Sequence, residues 1–200
     1  MMLKTMAFLI LGLISLHLDD KGTILLENIQ ERFDKINNLS AEFKQTTNGK
    51  ALLTGTLLFK KDDKLRIEFK HSILVSDGKT NWSYNKKENK VIISNNEASS
   101  ASPFSLKKII YDYPKECSIS SESSNGSSVL VLTPNASSSI GYSLIKIWPD
   151  SDNLINKVVL KDNADNLIQI EFFKYKLNQK VLDSKFIFNP PEGSKIIDLR

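Results

Sequence analysis

The chain holds one cysteine, Cys117, and two histidines, His17 and His71. A lone cysteine forms no internal disulfide, so the fold must stand on packing. The same shortage excludes the common zinc sites, and no HExxH or CxxC spacing occurs. A serine hydrolase would need His71 as its base, yet no G-x-S-x-G is present and His71 sits beside a turn. Glycine is scarce, 8 in 200 residues, and neither Gly126 nor Gly141 belongs to a phosphate-cradling loop. Asp77, followed by Gly78, reads as turn chemistry rather than as a catalytic acid. No catalytic group, metal or cofactor is expected.

Long apolar runs are missing too. Lys4 precedes an apolar stretch from Met6 to Leu18 that ends at Asp19-Asp20. It falls short of the roughly 20 residues a membrane-spanning helix needs, and fits a secretory signal. No clear small-x-small triplet marks a cleavage site, and an uncleaved anchor or a buried first helix are the alternatives. Residues 1–18 are therefore read as a signal and 19–200 as a single domain. Cys117 lies far from the signal, where a lipid-modified cysteine would sit, so an exported protein would be soluble in the periplasm. The net charge of +4 comes from lysines spread along many segments, with no compact basic cluster, and this reads as a solvated face without nucleic-acid binding.

What is present is alternation. Leu65, Ile67 and Phe69 alternate with Lys64, Arg66, Glu68 and Lys70, which makes a strand apolar on one face and charged on the other. Asp62-Asp63 read as the hairpin tip before it. Asp77-Gly78 marks a hairpin turn, with Trp82 and Tyr84 on one face of the next strand and Trp82 read as plain core. Upstream, Leu26, Ile29, Phe33 and Ile36 form one helical stripe, with Thr23 as a cap and Glu27, Gln30, Glu31 and Asp34 on the wet side. A strand at Leu39, Ala41 and Phe43 and an Asn48-Gly49 turn follow. Ser102-Pro103 reads as the start of a short helix over Phe104 to Ile110, closed by Tyr113-Pro114. Strands are then expected at Cys117 to Ser121, Val129 to Thr133, Tyr142 to Trp148, Lys157 to Lys161, Leu167 to Leu177 and Phe186 to Phe188. Their spacing implies a sandwich or a barrel. A transmembrane barrel is disfavoured, because most strands are short and the polar face carries long lysines suited to water.

The ordered set Leu74-Val75-Ser76-Asp77-Gly78-Lys79-Thr80 with Trp82 and Tyr84-Asn85, then Ser102-Pro103-Phe104-Ser105-Leu106, Leu132-Thr133-Pro134, Phe186-Ile187-Phe188 and Pro190-Pro191-Glu192-Gly193 resembles the LolA family of periplasmic lipoprotein carriers. The resemblance covers the chain from about Ile24 onward. It implies a mainly β fold, an incomplete, half-open antiparallel barrel whose hydrophobic cavity is covered by short helices. It also implies a non-enzymatic monomer, a chaperone that takes acylated lipoproteins from an inner-membrane ABC-type releasing complex and passes them to an outer-membrane receptor. Alternatives on the same half-barrel are an envelope-stress sensor and a free-lipid-binding protein.

Carried over by position, Leu57, Phe59, Leu65, Ile67 and Phe69 would line the concave sheet. Leu26 and Ile29 of the first helix, with Phe104, Leu106 and Ile109 of the lid, would face them. Ordinary core packing is the competing reading for each. Lys61-Asp62 stand where the family often has an arginine-proline pair, the arginine bonding to the lid. Lysine lacks the planar fork for several simultaneous backbone contacts, so Lys61 is a latch candidate of weaker or different arrangement. Arg66 alternates onto the charged face and is a poor substitute.

Overall fold

The computed structural model describes residues 20–95 and 104–200. The signal segment and the Ser102-Pro103 helix start lie outside the described residues. Helix α1 (Asp20–Asp34) comes first, and buries Leu26 and Ile29 while exposing Glu27, Glu31 and Asp34. Its first turn already contains Thr23, which is exposed and lies inside the helix rather than ahead of it. Gly22 shows why α1 enters so closely: a Cβ there would stand 2.6 Å from a backbone atom of Ser120.

Six strands then run as a meander: β1 (Asn38–Thr47), β2 (Lys50–Lys60), β3 (Lys64–Phe69), β4 (Ser72–Asp77), β5 (Thr80–Asn85) and β6 (Lys90–Asn95). Tight turns join them where the sequence marks them. Asn48 and Gly49 sit at φ 51° and 68°, and Asp62 and Asp63 at 70° and 58°, in the left-handed region that short polar side chains and glycine tolerate. A second meander follows: β7 (Cys117–Ser124), β8 (Ser127–Pro134), β9 (Tyr142–Pro149), β10 (Ile155–Asp162) and β11 (Leu167–Leu177). The last strand is β12 (Lys195–Asp198).

The sheet order is β12-β6-β5-β4-β3-β2-β1-β11-β10-β9-β8-β7. Strand β1 pairs with both β2 and β11, so it welds the two meanders into one antiparallel wall. Among the described strands only β12 is parallel to its neighbour, β6. The end strands β12 and β7 do not pair with each other, and the barrel stays open. Its concave face carries the core, with Leu39, Phe43, Leu57, Ile67, Leu130, Ile145 and Val158 all buried there. Gly55 makes room for this packing, since a Cβ would meet the Phe43 ring at 2.7 Å.

Two expectations are corrected. The segment after residue 104 is no regular helix. It begins with Leu106 N–H donating to the Phe104 carbonyl, widens over Lys108–Asp112, and tightens over Tyr113–Glu116. Pro114 opens that last turn instead of ending the helix. Phe104, Leu106, Ile109, Ile110 and Tyr113 are all buried, and a wide turn lets a short piece bury side chains on most of its sides.

The second correction is Phe186 to Phe188, which make no strand. Asp183–Phe186 is a single tight turn lying on the convex face over β3 and β4. Its flanking carbonyls are met by side chains rather than a neighbouring strand. Lys60 Nζ donates to Val181 O at 3.1 Å, and Arg66 Nη1 to Lys185 O at 3.2 Å. Phe186 is fully buried there, beside the outward row that holds Val75, Trp82 and Ile93, and Phe188 stacks on Tyr84 with centroids 5.4 Å apart. Trp82 therefore belongs to a small second core on the outside of the sheet.

Candidate functional site

Between the concave face of β2–β3 and the 104–116 segment lies a cavity of about 150 Å³. Leu57 and Phe59 of β2, Leu65 of β3, and Phe104 and Leu106 of the covering segment form its apolar wall. Alternation puts the first three there: β2 and β3 pair Leu57 with Ile67 and Phe59 with Leu65, so all four point inward together. Ser76, Asn81, Asp63 and Lys107 add polar groups to the lining.

Five of the residues expected to bind lipid thus meet around one space. Ile29 meets Leu106 at a second, far smaller void of about 10 Å³, which Leu39, Ile155 and Tyr175 also line. Leu26, Ile67 and Ile109 are buried in the continuous core and line neither space. Phe69 is half-buried in an aromatic cluster. Its ring stands edge-on to Phe43 at 5.4 Å and to Phe104 at 5.7 Å, while Phe43 and Phe104 lie 4.7 Å apart. Such contacts fix Phe104 against the sheet.

Polar ties close the site from the side of α1. Gln30 Nε2 donates to Ile110 O at 2.6 Å, and Tyr111 Oη donates to Asp34 Oδ1 at 2.5 Å. Gln30 is therefore half-buried at the contact rather than on the wet side. Burial, with Asp34 beside it, pushes the Tyr111 phenol well above its ordinary value, so it remains a donor at any physiological pH. Lys61 holds α1: its Nζ donates to the Asp34 carbonyl at 2.9 Å and its N–H to Asn37 O at 2.9 Å. The ion pair that crosses to the covering segment comes from the same turn but a different residue. Lys107 Nζ sits 2.7 Å and 2.8 Å from the two Asp63 carboxylate oxygens.

Sequence reasoning missed Asp63, Lys107, Gln30 and Tyr111, whose partners lie 44 to 81 residues away along the chain. It also missed Ser76 and Asn81 as cavity residues. Their only signal was phase, since Ser76 occupies the inward position opposite Leu65.

Nothing else in the described residues gathers reactive groups. His71 is exposed at the β3–β4 turn. Burial, with a lesser push from Glu116, raises the Cys117 thiol to about 11, so it is largely unionised at neutral pH. Among the described residues no group of three or more His, Cys, Asp or Glu side chains could hold a metal ion.

The open half-barrel is a fold shared with known proteins. The family model "Outer membrane lipoprotein carrier protein LolA" matches residues 34–189. The chain belongs to the LolA family. An outer-membrane lipoprotein carrier protein of Pasteurella multocida is 28% identical, covering 100% of this chain and 98% of the relative. The protein of the same description from Proteus mirabilis is 26% identical over 87% of this chain and 88% of its own length. Among solved structures, an uncharacterized conserved protein from Thermus thermophilus covers 89% of this chain and 99% of its own, with a TM-score of 0.60 at 11% identity, a likeness of fold. The LolA match contains β1 to β11 and the covering segment, hence every residue of the cavity wall, but not β12 or most of α1. Among the described residues no helix is long and apolar enough to cross a membrane.

Proposed function

We propose that this LolA-family chain is a non-enzymatic periplasmic carrier, which shelters the acyl chains of lipoproteins released from the inner membrane and delivers them towards the outer membrane. The observation that carries the reading is the cavity walled by Leu57, Phe59, Leu65, Phe104 and Leu106. Each methylene withdrawn from water is worth about 0.8 kcal/mol, so an acylated protein needs a large apolar shelter to leave a bilayer. At about 150 Å³ the cavity is smaller than the roughly 300–1,000 Å³ of ordinary ligand pockets, so loading requires the 104–116 segment to move off the sheet. Closure and loading then compete for the same apolar surface. The empty form closes on its own side chains, and that closure offsets part of the acyl-chain affinity and permits release. A releasing complex at the inner membrane and a receptor at the outer membrane are the partners such a route requires.

The test is direct. Incubated with spheroplasts that synthesise labelled lipoproteins, the purified protein is expected to appear in a soluble complex with lipoprotein. Lipoproteins that stay in the membrane pellet at saturating protein would overturn the reading.

A further inference from the structure

The concave face changes character along one row of paired residues. Leu39, Phe59, Leu65, Ser76, Asn81 and Ser94 are successive cross-strand partners from β1 to β6. The first three are apolar and the last three carry a hydroxyl or an amide. The switch falls inside the cavity, which Phe59 and Leu65 line from one side and Ser76 and Asn81 from the other.

Ser76 is the informative member. It is only 5% exposed, one of two buried polar residues among those described. Its Oγ accepts a hydrogen bond from Gly78 N–H at 3.2 Å, and its own hydroxyl hydrogen meets no acceptor among the described residues. A hydroxyl can donate as well as accept, so this one keeps a donor to spare for an acceptor that arrives with a ligand. Adjacent strands lie about 4.8 Å apart, which places Ser76 one strand spacing from Leu65 and two from Phe59. A chain lying on Phe59 and Leu65 therefore brings the polar group at its end to Ser76 and Asn81. Of the two lysines that line the cavity, Lys107 pairs with Asp63, and Lys108 is half-buried on the covering segment. The Ser76 donor on the sheet is neutral and buried, and it suits a neutral acceptor better than a charged head.

We infer that Ser76, with Asn81 beside it, is a polar shelf that binds the ester carbonyl of a diacylglyceryl group whose chains lie among Leu57, Phe59 and Leu65. The inference rests on the carrier reading and names the linkage that the carrier recognises. A diacylglyceryl ester occurs both on lipoproteins and on membrane phospholipids, so the two sources must be separated by experiment.

The probe is a soluble cysteinyl peptide bearing an S-diacylglyceryl group, made once with ester-linked and once with ether-linked chains. Its affinity is measured with the full chain by fluorescence displacement. An ether oxygen is the poorer acceptor, so wild type should bind the ether peptide about three- to tenfold more weakly than the ester peptide. Ser76→Ala should bind both alike, at the weaker level, and Ser76→Thr, which keeps the hydroxyl, should restore the preference. The ratio of ratios isolates the contact from any loss of fold in the variant. An ester preference that survives unchanged in Ser76→Ala overturns the shelf. Failure of wild type to bind either peptide overturns the carrier reading instead. With a diacyl phosphatidylglycerol as second probe, Ser76-dependence equal to that of the peptide supports the shelf with membrane lipid as a source. Dependence confined to the peptide supports it with lipoprotein as the source.

Discussion

Leu65 and Phe104 face each other across the cavity, and they differ in how substitution should act. Leu65 is half-buried and has space beside it. Leu65→Glu should therefore leave a folded protein, by circular dichroism, that loads acylated peptide at least tenfold less well, because a carboxylate covered by acyl chains is costly. Phe104 is locked between Phe43 and Phe69, and Phe104→Ala should weaken closure by up to about 3 kcal/mol. Increased binding of an apolar dye without loss of strand signal would register that opening, and unchanged dye binding would contradict it. Cys117 gives a third readout. With its thiol raised to about 11, alkylation at pH 8 should run about a hundredfold slower than for a free thiol, and recover in denaturant. At this scale the sequence was legible where period-2 alternation marked one face, as at Leu57, Phe59 and Leu65. Ser76 and Asn81 were not, because polar residues flanking Asp77-Gly78 read as turn chemistry although both point inward.

The elements show which contacts hold the cover down. The Asp63–Lys107 pair is about half exposed, so it contributes less than about 1 kcal/mol, and Asp63→Asn should shift loading only slightly at physiological salt. The aromatic packing of Phe104 outweighs it. The strap after β11 is held by Phe186 and by Asp183, which lies 2.6 Å from Lys60 Nζ and 3.1 Å from Lys64 Nζ. Those hydrogen bonds keep the Asp183 carboxyl below the usual carboxylate range. Its contribution is therefore fully present above the unfolded value of about 4 and is lost as pH falls through the lower folded value. Thermal melts between pH 5 and pH 2 should show a smaller acid-side loss for Asp183→Asn than for wild type. Phe186→Ala should loosen the strap by about 3 kcal/mol and raise hydrogen exchange in β6 and β12. The aromatic and aliphatic triplet Phe186-Ile187-Phe188 misled as a strand because Phe186 and Phe188 both pack on the sheet with Ile187 between them, as in a strand, although no neighbouring strand pairs with it. Ile187 is exposed, and lysine and arginine side chains from β2 and β3 satisfy the surrounding carbonyls.

Across the whole molecule, several hairpins were legible because their turn residues announce themselves, as at Asn48-Gly49 and Asp62-Asp63. The long-range joins were not. Nothing local in β1 specifies its pairing with β11, and the parallel β12–β6 contact joins segments about a hundred residues apart. These joins make the half-barrel one stiff wall, while the 104–116 segment rests on it through a few aromatic contacts and side-chain hydrogen bonds. The central claim is that acyl chains enter by lifting that segment from the wall. Spin labels at exposed Thr56 on β2 and Lys107 on the cover, in a Cys117→Ser background, report the separation directly. Saturation with an S-diacylglyceryl peptide is predicted to lengthen and broaden the distance distribution. A peptide that binds while the distribution stays at its empty-state distance would contradict the account.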